Sequence, residues 1–214
     1  MRFRLVLFDL DGTLFESEDE AWRAVSAAAK AIPELSCIRT KTQMLRLFHG
    51  NFYEETCKVA KLPKSKIHWL EKRMRRTFIK DYHPHIVPGI RQVVGDIAGH
   101  TEGMTIAVMS SNFNNTIKRL LRSGKMQSFV DVVSGADNEP SKVKRIRALL
   151  KKKRVKPSET ICVTDTVGDV RECRKAGVKC IGVSWGFHSP TMLRRAGAIA
   201  IARTPSHLRR LLYA

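Results

Sequence analysis

The sequence predicts an α/β fold in which a parallel sheet core carries an inserted, all-helical cap. Three observations predict it. From about residue 86 onward, short apolar strands alternate with helices, the pattern of a parallel sheet covered on both faces. Between the first strand and that alternation lies a block with only helical periodicity. Aspartates, serines and a lysine stand just beyond the apolar runs, at the sheet edge where such folds bind ligands. The expected division is a core of residues 1–15 plus 86–214, and a cap of residues 16–85.

The elements follow in order. Arg4 to Leu10 is a short apolar run ending at polar residues, a buried strand. Glu16 to Ala31 is alanine-rich and reads as the first cap helix. Thr40-Lys41-Thr42-Gln43 fits a capping box that opens a helix to about His49, broken by Gly50-Asn51. Phe52 to Ala60 forms the next. Pro63 and Ser65 precede a third, in which Ile67, Leu70, Met74 and Phe78 recur at helical spacing. His83 to Gly89 is a breaker-rich return to the core, and with Phe15 to Ser17 it marks the crossings where hinges are expected. Strands are then expected at Met104–Met109, Val130–Val133, Thr160–Val163, Cys180–Val183 and Ala198–Ile201. Helices between them are expected at Asn115–Arg122, Ser141–Lys153 and Val167–Ala176, and a last one at Pro205–Leu212.

A chain of 214 residues, 43% hydrophobic and 28% charged, suits a soluble globular protein rather than a disordered one. No apolar run approaches the ~20 residues of a membrane span. Leu5 to Phe8 is too short for a secretory core, so the expected location is the cytoplasm, with no membrane partner. Five cysteines without Cys-x-x-Cys spacing argue against a disulfide framework or a zinc site and read as packing. The net charge of +19 favours anionic ligands. Its dispersal over the chain reads as a solvated surface more readily than as a nucleic-acid footprint.

The strand ends carry the chemistry. Asp9 and Asp11 follow the first strand, Ser110, Ser111 and Asn112 the second, Asp137 and Lys142 the third, and Asp165 and Asp169 the fourth. Several aspartates at one edge repel each other unless a cation joins them, and magnesium is the natural hard ion for carboxylate oxygens. Asp9, at the strand tip, is placed to attack phosphorus. Asp11, beyond the turn at Gly12, can protonate a leaving oxygen and later activate water. Thr13 offers a hydroxyl, Ser110 and nearby N–H groups can donate to phosphoryl oxygens, and Lys142 can neutralise charge and restrain Asp9. Asp165 and Asp169 would complete a metal shell with Asp9 and Asp11. Ser111 competes with Ser110, and Lys144 with Lys142. Asp137 reads as a loop residue, and Arg46, His49 and Asn51 flank the helix break in the cap.

These residues resemble the haloacid dehalogenase-like hydrolases, in the phosphatase branch with a helical cap and closest to phosphoglycolate phosphatase-like members. Asp9-Leu10-Asp11-Gly12-Thr13 fits the first motif fully, and Ser110 ends the apolar strand of the second. Lys142 is the best fit to the third, and Asp165-Thr166-Val167-Gly168-Asp169 to the fourth. Ala176-Gly177-Val178 and Trp185-Gly186 also look like the family's continuation. Thr164 stands where glycine is common, and the third motif lacks the frequent Lys-Pro pairing. Asp11 argues against dehalogenation.

The resemblance implies a Rossmann-like core, Mg2+, and an enzyme that hydrolyses a small phosphate monoester through an aspartyl-phosphate. Ser111 and Asn112 would bind substrate beside Thr13, with Arg46 taking a second anionic group from a small phosphorylated metabolite. The alternatives are a phosphotransferase or mutase of the same superfamily, and a basic nucleic-acid-binding protein acting on phosphorylated ends. A monomer or a homodimer is compatible with the sequence.

Overall fold

The computed structural model describes residues 3–77, 82–100, 103–137 and 139–214. The chain begins with β1 (Leu5–Phe8) and a two-residue strand β2 (Phe15–Glu16). The cap follows as α1 (Glu18–Ala31), α2 (Lys41–Arg46), α3 (Phe52–Val59) and α4 (Ile67–Thr77). The return is β3 (His85–Ile86), and the core continues with α5 (Ile90–His100), β4 (Thr105–Met109), α6 (Asn114–Ser123) and β5 (Val132–Ser134). Next come α7 (Lys142–Lys153), β6 (Thr160–Thr164), α8 (Val167–Lys175), β7 (Lys179–Val183), α9 (Pro190–Ala196), β8 (Ala200–Ala202) and α10 (Pro205–Tyr213).

Six strands pair in the order β5-β4-β1-β6-β7-β8, every neighbouring pair parallel. β1 is central, and its four residues are at most 1% exposed. Alternate side chains serve opposite layers, as a pleated strand with both faces covered requires. Val6 and Phe8 join Ile106, Val108, Ile161 and Val163 in a layer closed by α5, α6 and α10. Leu5 and Leu7 join Ala107, Met109 and Cys162 in a layer closed by α7, α8 and α9. The chain runs outward from β1 to β4 and β5, then crosses back to β6 on the other side of β1. Such a reversal opens a crevice at the strand ends, where ligands bind.

The cap helices share their own apolar cluster, including Val25, Leu35, Met44, Leu47, Tyr53 and Leu70. The Thr40 hydroxyl accepts from the Gln43 N–H at 3.2 Å and the Gln43 side chain accepts from the Thr40 N–H at 3.0 Å, the capping box expected there. All five cysteines are free thiols, and the Sγ atoms of Cys162, Cys173 and Cys180 lie within 4.8 Å of one another between β6, β7 and α8. No helix among the described residues is long and apolar enough to cross a membrane.

Several boundaries differ from expectation. The first cap helix starts at Glu18 rather than Glu16, because Phe15 and Glu16 pair antiparallel with Ile86 and His85. The two crossings between core and cap therefore form one small ribbon. The third strand is Val132–Ser134 rather than Val130–Val133, because a turn over Gln127–Phe129 holds Val130 back. The last strand begins at Ala200, and α9 was not expected; Ser189 caps it and Pro190 starts it. Phe78 lies outside the described residues.

Candidate active site

Asp9 directly continues β1, and its N–H donates to the Val163 carbonyl at 2.9 Å, which fixes it at the sheet edge. The chain then turns. Gly12 has φ +72°, and a Cβ there would lie 2.1 Å from Asp165 Oδ2, so both the turn and the close approach need glycine. The Gly12 N–H donates to the Phe15 carbonyl at 2.7 Å and to Ser17 Oγ at 3.1 Å. This compact turn aims Asp11 back over the strand ends.

Lys142 is the first residue of α7 and is 4% exposed. Its Nζ donates to Asp9 Oδ1 at 2.9 Å and also to Asp169 Oδ2. Glu172 on α8 accepts from the Lys142 N–H and from Asn51 Nδ2, each at 3.1 Å, and so holds the lysine's helix end in place. Burial alone would lower the Lys142 pKa, but the Asp169 and Asp9 carboxylates outweigh it and hold the amine protonated. Lys144, its rival in the sequence, instead pairs with Glu139 at 3.1 Å on the surface.

Burial pushes Asp9 well above the usual carboxylate range, and the nearby Asp169 adds to this while Lys142 opposes it. Burial also raises Asp11, against hydrogen bonds that favour its charged form. The Tyr82 hydroxyl donates to Asp11 Oδ1. Ser110 Oγ and Asn112 Nδ2 donate to Asp11 Oδ2, each at 3.4 Å. Asp165 is fully buried, and burial lifts it to about 7 even though the Phe187 N–H and the Thr13 hydroxyl donate to it at 2.8 and 2.9 Å. Thr164, also fully buried, donates to Asp169 Oδ2 at 3.1 Å and accepts from the Thr166 N–H at 3.2 Å.

A small polar chamber of about 30 Å³ is lined by Asp9, Asp11, Ser110, Ser111, Lys142, Thr166 and Asp169, with the rings of Phe48 and Phe187 beside it. Those two rings meet edge to face at 5.1 Å, one from the cap and one from the core. The arrangement provides a carboxylate at a strand tip, a second carboxylate on a turn with three donors, and a buried ammonium between acids.

The structure thus brings Asp9, Asp11, Ser110, Ser111, Lys142 and Asp169 around one space, and Asn112 reaches it only through its hydrogen bond to Asp11. Thr13 and Asp165 lie behind it, bonded to each other. Arg46 stands apart: it is exposed at the end of α2 and does not line the chamber. Asp137 accepts from the Asn114 N–H at 2.8 Å and pairs with Arg75 of the cap at 3.9 Å, a loop role.

Sequence reasoning missed Tyr82, Glu172 and the His188 link. His188 Nδ1 accepts from the Val167 N–H at 2.9 Å, so its Nε2 carries the proton and donates to the cap's Leu45 carbonyl at 3.2 Å. Only Glu172, one turn beyond Asp169, left a trace in the spacing. Tyr82 and His188 reach their partners through the folded cap.

The chain is similar to known proteins in sequence and in fold. "Probable phosphatase IndB" of Dickeya dadantii is 28% identical over 214 residues, covering 95% of this chain and 91% of that one. Phosphoglycolate phosphatase of Vibrio parahaemolyticus is 25% identical over 200 residues, covering 86% and 85%. The crystal structure of a predicted phosphatase from Clostridium acetobutylicum superimposes with a TM-score of 0.84 at 20% identity, covering 100% and 99%. The profile of the haloacid dehalogenase-like hydrolases matches residues 6–183, and the chain belongs to that family.

Proposed function

We propose that the chain is a magnesium-dependent phosphatase that hydrolyses a small phosphate monoester through an aspartyl-phosphate on Asp9. The observation that carries this reading is Lys142 Nζ at 2.9 Å from Asp9 Oδ1, in a chamber that Asp11 and Ser110 also line. Asp9 Oδ1 is engaged by the ammonium, which leaves Oδ2 to attack. Its oxygen forms the new bond to phosphorus while the ester P–O bond breaks, and Asp11 gives its proton to the departing oxygen. Asp11, now a carboxylate, takes a proton from water. That water's oxygen attacks phosphorus, releasing phosphate and restoring Asp9. Ser110, Ser111 and Lys142 supply donors to the phosphoryl oxygens as charge spreads over them. Tyr82 and Asn112 hold the Asp11 carboxylate in the orientation both proton transfers need.

The donor set fits magnesium. Asp9, Asp165 and Asp169 are buried carboxylates within electrostatic reach of one another, and burial lifts Asp9 and Asp165. Magnesium commonly takes one or two carboxylates and completes its shell with water and substrate oxygens, so a closed protein cage is not required. Asp9 would hold it, with Asp11 and Asp169 also in the chamber and Asp165 just behind, and when bound it would supply positive charge to carboxylate and phosphoryl oxygens.

The test is hydrolysis of an aryl phosphate with and without Mg2+. Activity that needs the metal and is lost in Asp9→Asn supports the reading. Wild-type turnover in Asp9→Asn would refute it.

A further inference from the structure

The polar chamber has a neighbour. A second cavity of about 70 Å³ adjoins it between cap and core, and the two share Asp11, Phe48 and Ser111 in their walls. The second space is apolar. Ala24, Val25 and Ala28 of α1 form one side, with Phe52, Met74 and Phe113 around them. Among the described residues that line it, none is Lys, Arg or His, and Asp11 is the one charged group. Its two tyrosine hydroxyls are engaged as donors to the cavity's own wall: Tyr53 to the Ser111 carbonyl at 3.1 Å, and Tyr82 to Asp11.

The junction of the two spaces fixes how an ester would lie. A phosphoryl group in the polar chamber, near Asp9 and Lys142, puts its bridging oxygen beside Asp11, the proposed proton donor. Whatever that oxygen carries then extends into the apolar cavity. A carboxylate or second phosphate there would lose its water without meeting a cation, and it would face Asp11; a buried unpaired charge is costly. An uncharged hydrocarbon group gains by leaving water.

We infer that the cavity between α1 and the core is the leaving-group subsite, and that it selects phosphate monoesters whose alcohol is small, uncharged and apolar. The inference rests on the phosphatase reading above and narrows its substrate class. It also assigns Arg46 no part in binding, since that residue lines neither space.

The experiment is a series of n-alkyl phosphates from methyl to butyl, whose leaving groups are chemically alike, run with Mg2+ beside phosphoglycolate and pyrophosphate. At about fourfold per buried methylene, kcat/KM rises about sixtyfold across the three added carbons. Phosphoglycolate falls tenfold or more below propyl phosphate. Ala24→Arg, which places a cation in the cavity, lowers the ratio of butyl phosphate to phosphoglycolate turnover a hundredfold or more. If that variant does not fold, the wild-type series decides alone. A flat series whose turnover still vanishes in Asp9→Asn overturns the subsite and leaves the phosphatase reading standing. So does a preference for phosphoglycolate or pyrophosphate. No hydrolysis of any ester overturns both.

Discussion

Gly168 of the core meets Gly50 of the cap backbone to backbone: a Cβ on Gly168 would lie 2.2 Å from the Gly50 carbonyl oxygen. The contact brings the cap down beside Asp169 and sets Phe48 against Phe187. Helix propensity alone predicts that Gly168→Ala gains about 1 kcal/mol. The contact predicts the opposite sign, a loss of about 1–3 kcal/mol from overpacking. Chemical denaturation of the two proteins decides between them.

Tyr82 holds one oxygen of Asp11, and a hydrogen bond to a charged group is worth about 1.5–3 kcal/mol. Tyr82→Phe should lower kcat for alkyl phosphates by about tenfold or more, because a poor leaving group needs the Asp11 proton. For nitrophenyl phosphate, whose leaving group departs without that proton, kcat/KM, which reports the first step alone, should fall much less. Equal losses on both would show that Tyr82 acts only through folding.

Lys142 sits between two buried carboxylates. Lys142→Met should cost about 10²–10³-fold in kcat, as the loss of one donor to a transferring group does. Leaving Asp9 and Asp169 facing each other without it should also cost about 3–5 kcal/mol of stability. Kinetics and denaturation on the same preparation check both.

Burial holds His188 below its usual 6.5, and the neutral ring joins the core's Val167 to the cap's Leu45. The sign follows from proton uptake. Between the lowered folded pKa and 6.5 the unfolded chain binds more protons, so stability is full above 6.5 and declines as pH falls toward the folded value. Asp165, lifted to about 7, works in the other direction: its contribution is full below 3.8 and is lost as pH rises to about 7, because the unfolded chain gives up that proton first. Comparing wild type with His188→Gln separates the two. Wild type should lose more stability than the variant between about pH 7.5 and 5.5, a window set by the histidine range. Equal losses would remove His188 from the account.

The core was legible because its signals are local. A four-residue apolar strand followed by Asp-x-Asp-Gly-Thr names its own turn, and Ser110, Lys142 and Asp165 each stand next to a strand or helix end that periodicity finds. Thr164 shows the limit. In the sequence it only departs from a common glycine. In the structure its hydroxyl ties Asp169 to the Thr166 backbone, a part that spacing does not reveal. The ribbon of Phe15–Glu16 with His85–Ile86 joins segments about seventy residues apart, and Tyr82 and His188 depend on the docked cap. Such contacts are set by tertiary packing rather than by neighbours in the chain. The sequence marks Arg46 by its charge beside a helix break, but charge says nothing about direction, and it is exposed at the end of α2.

In the proposed reaction Asp9 carries the phosphoryl group. In Asp11→Asn the base for the second step is gone, while nitrophenyl phosphate still drives the first, so the intermediate should accumulate. Mass spectrometry of the acid-quenched protein should then find the phosphoryl group on the peptide containing Asp9, and none when Asp9 is also changed to Asn. A phosphoryl group on another residue, or steady hydrolysis with Asp9 replaced, would contradict the account.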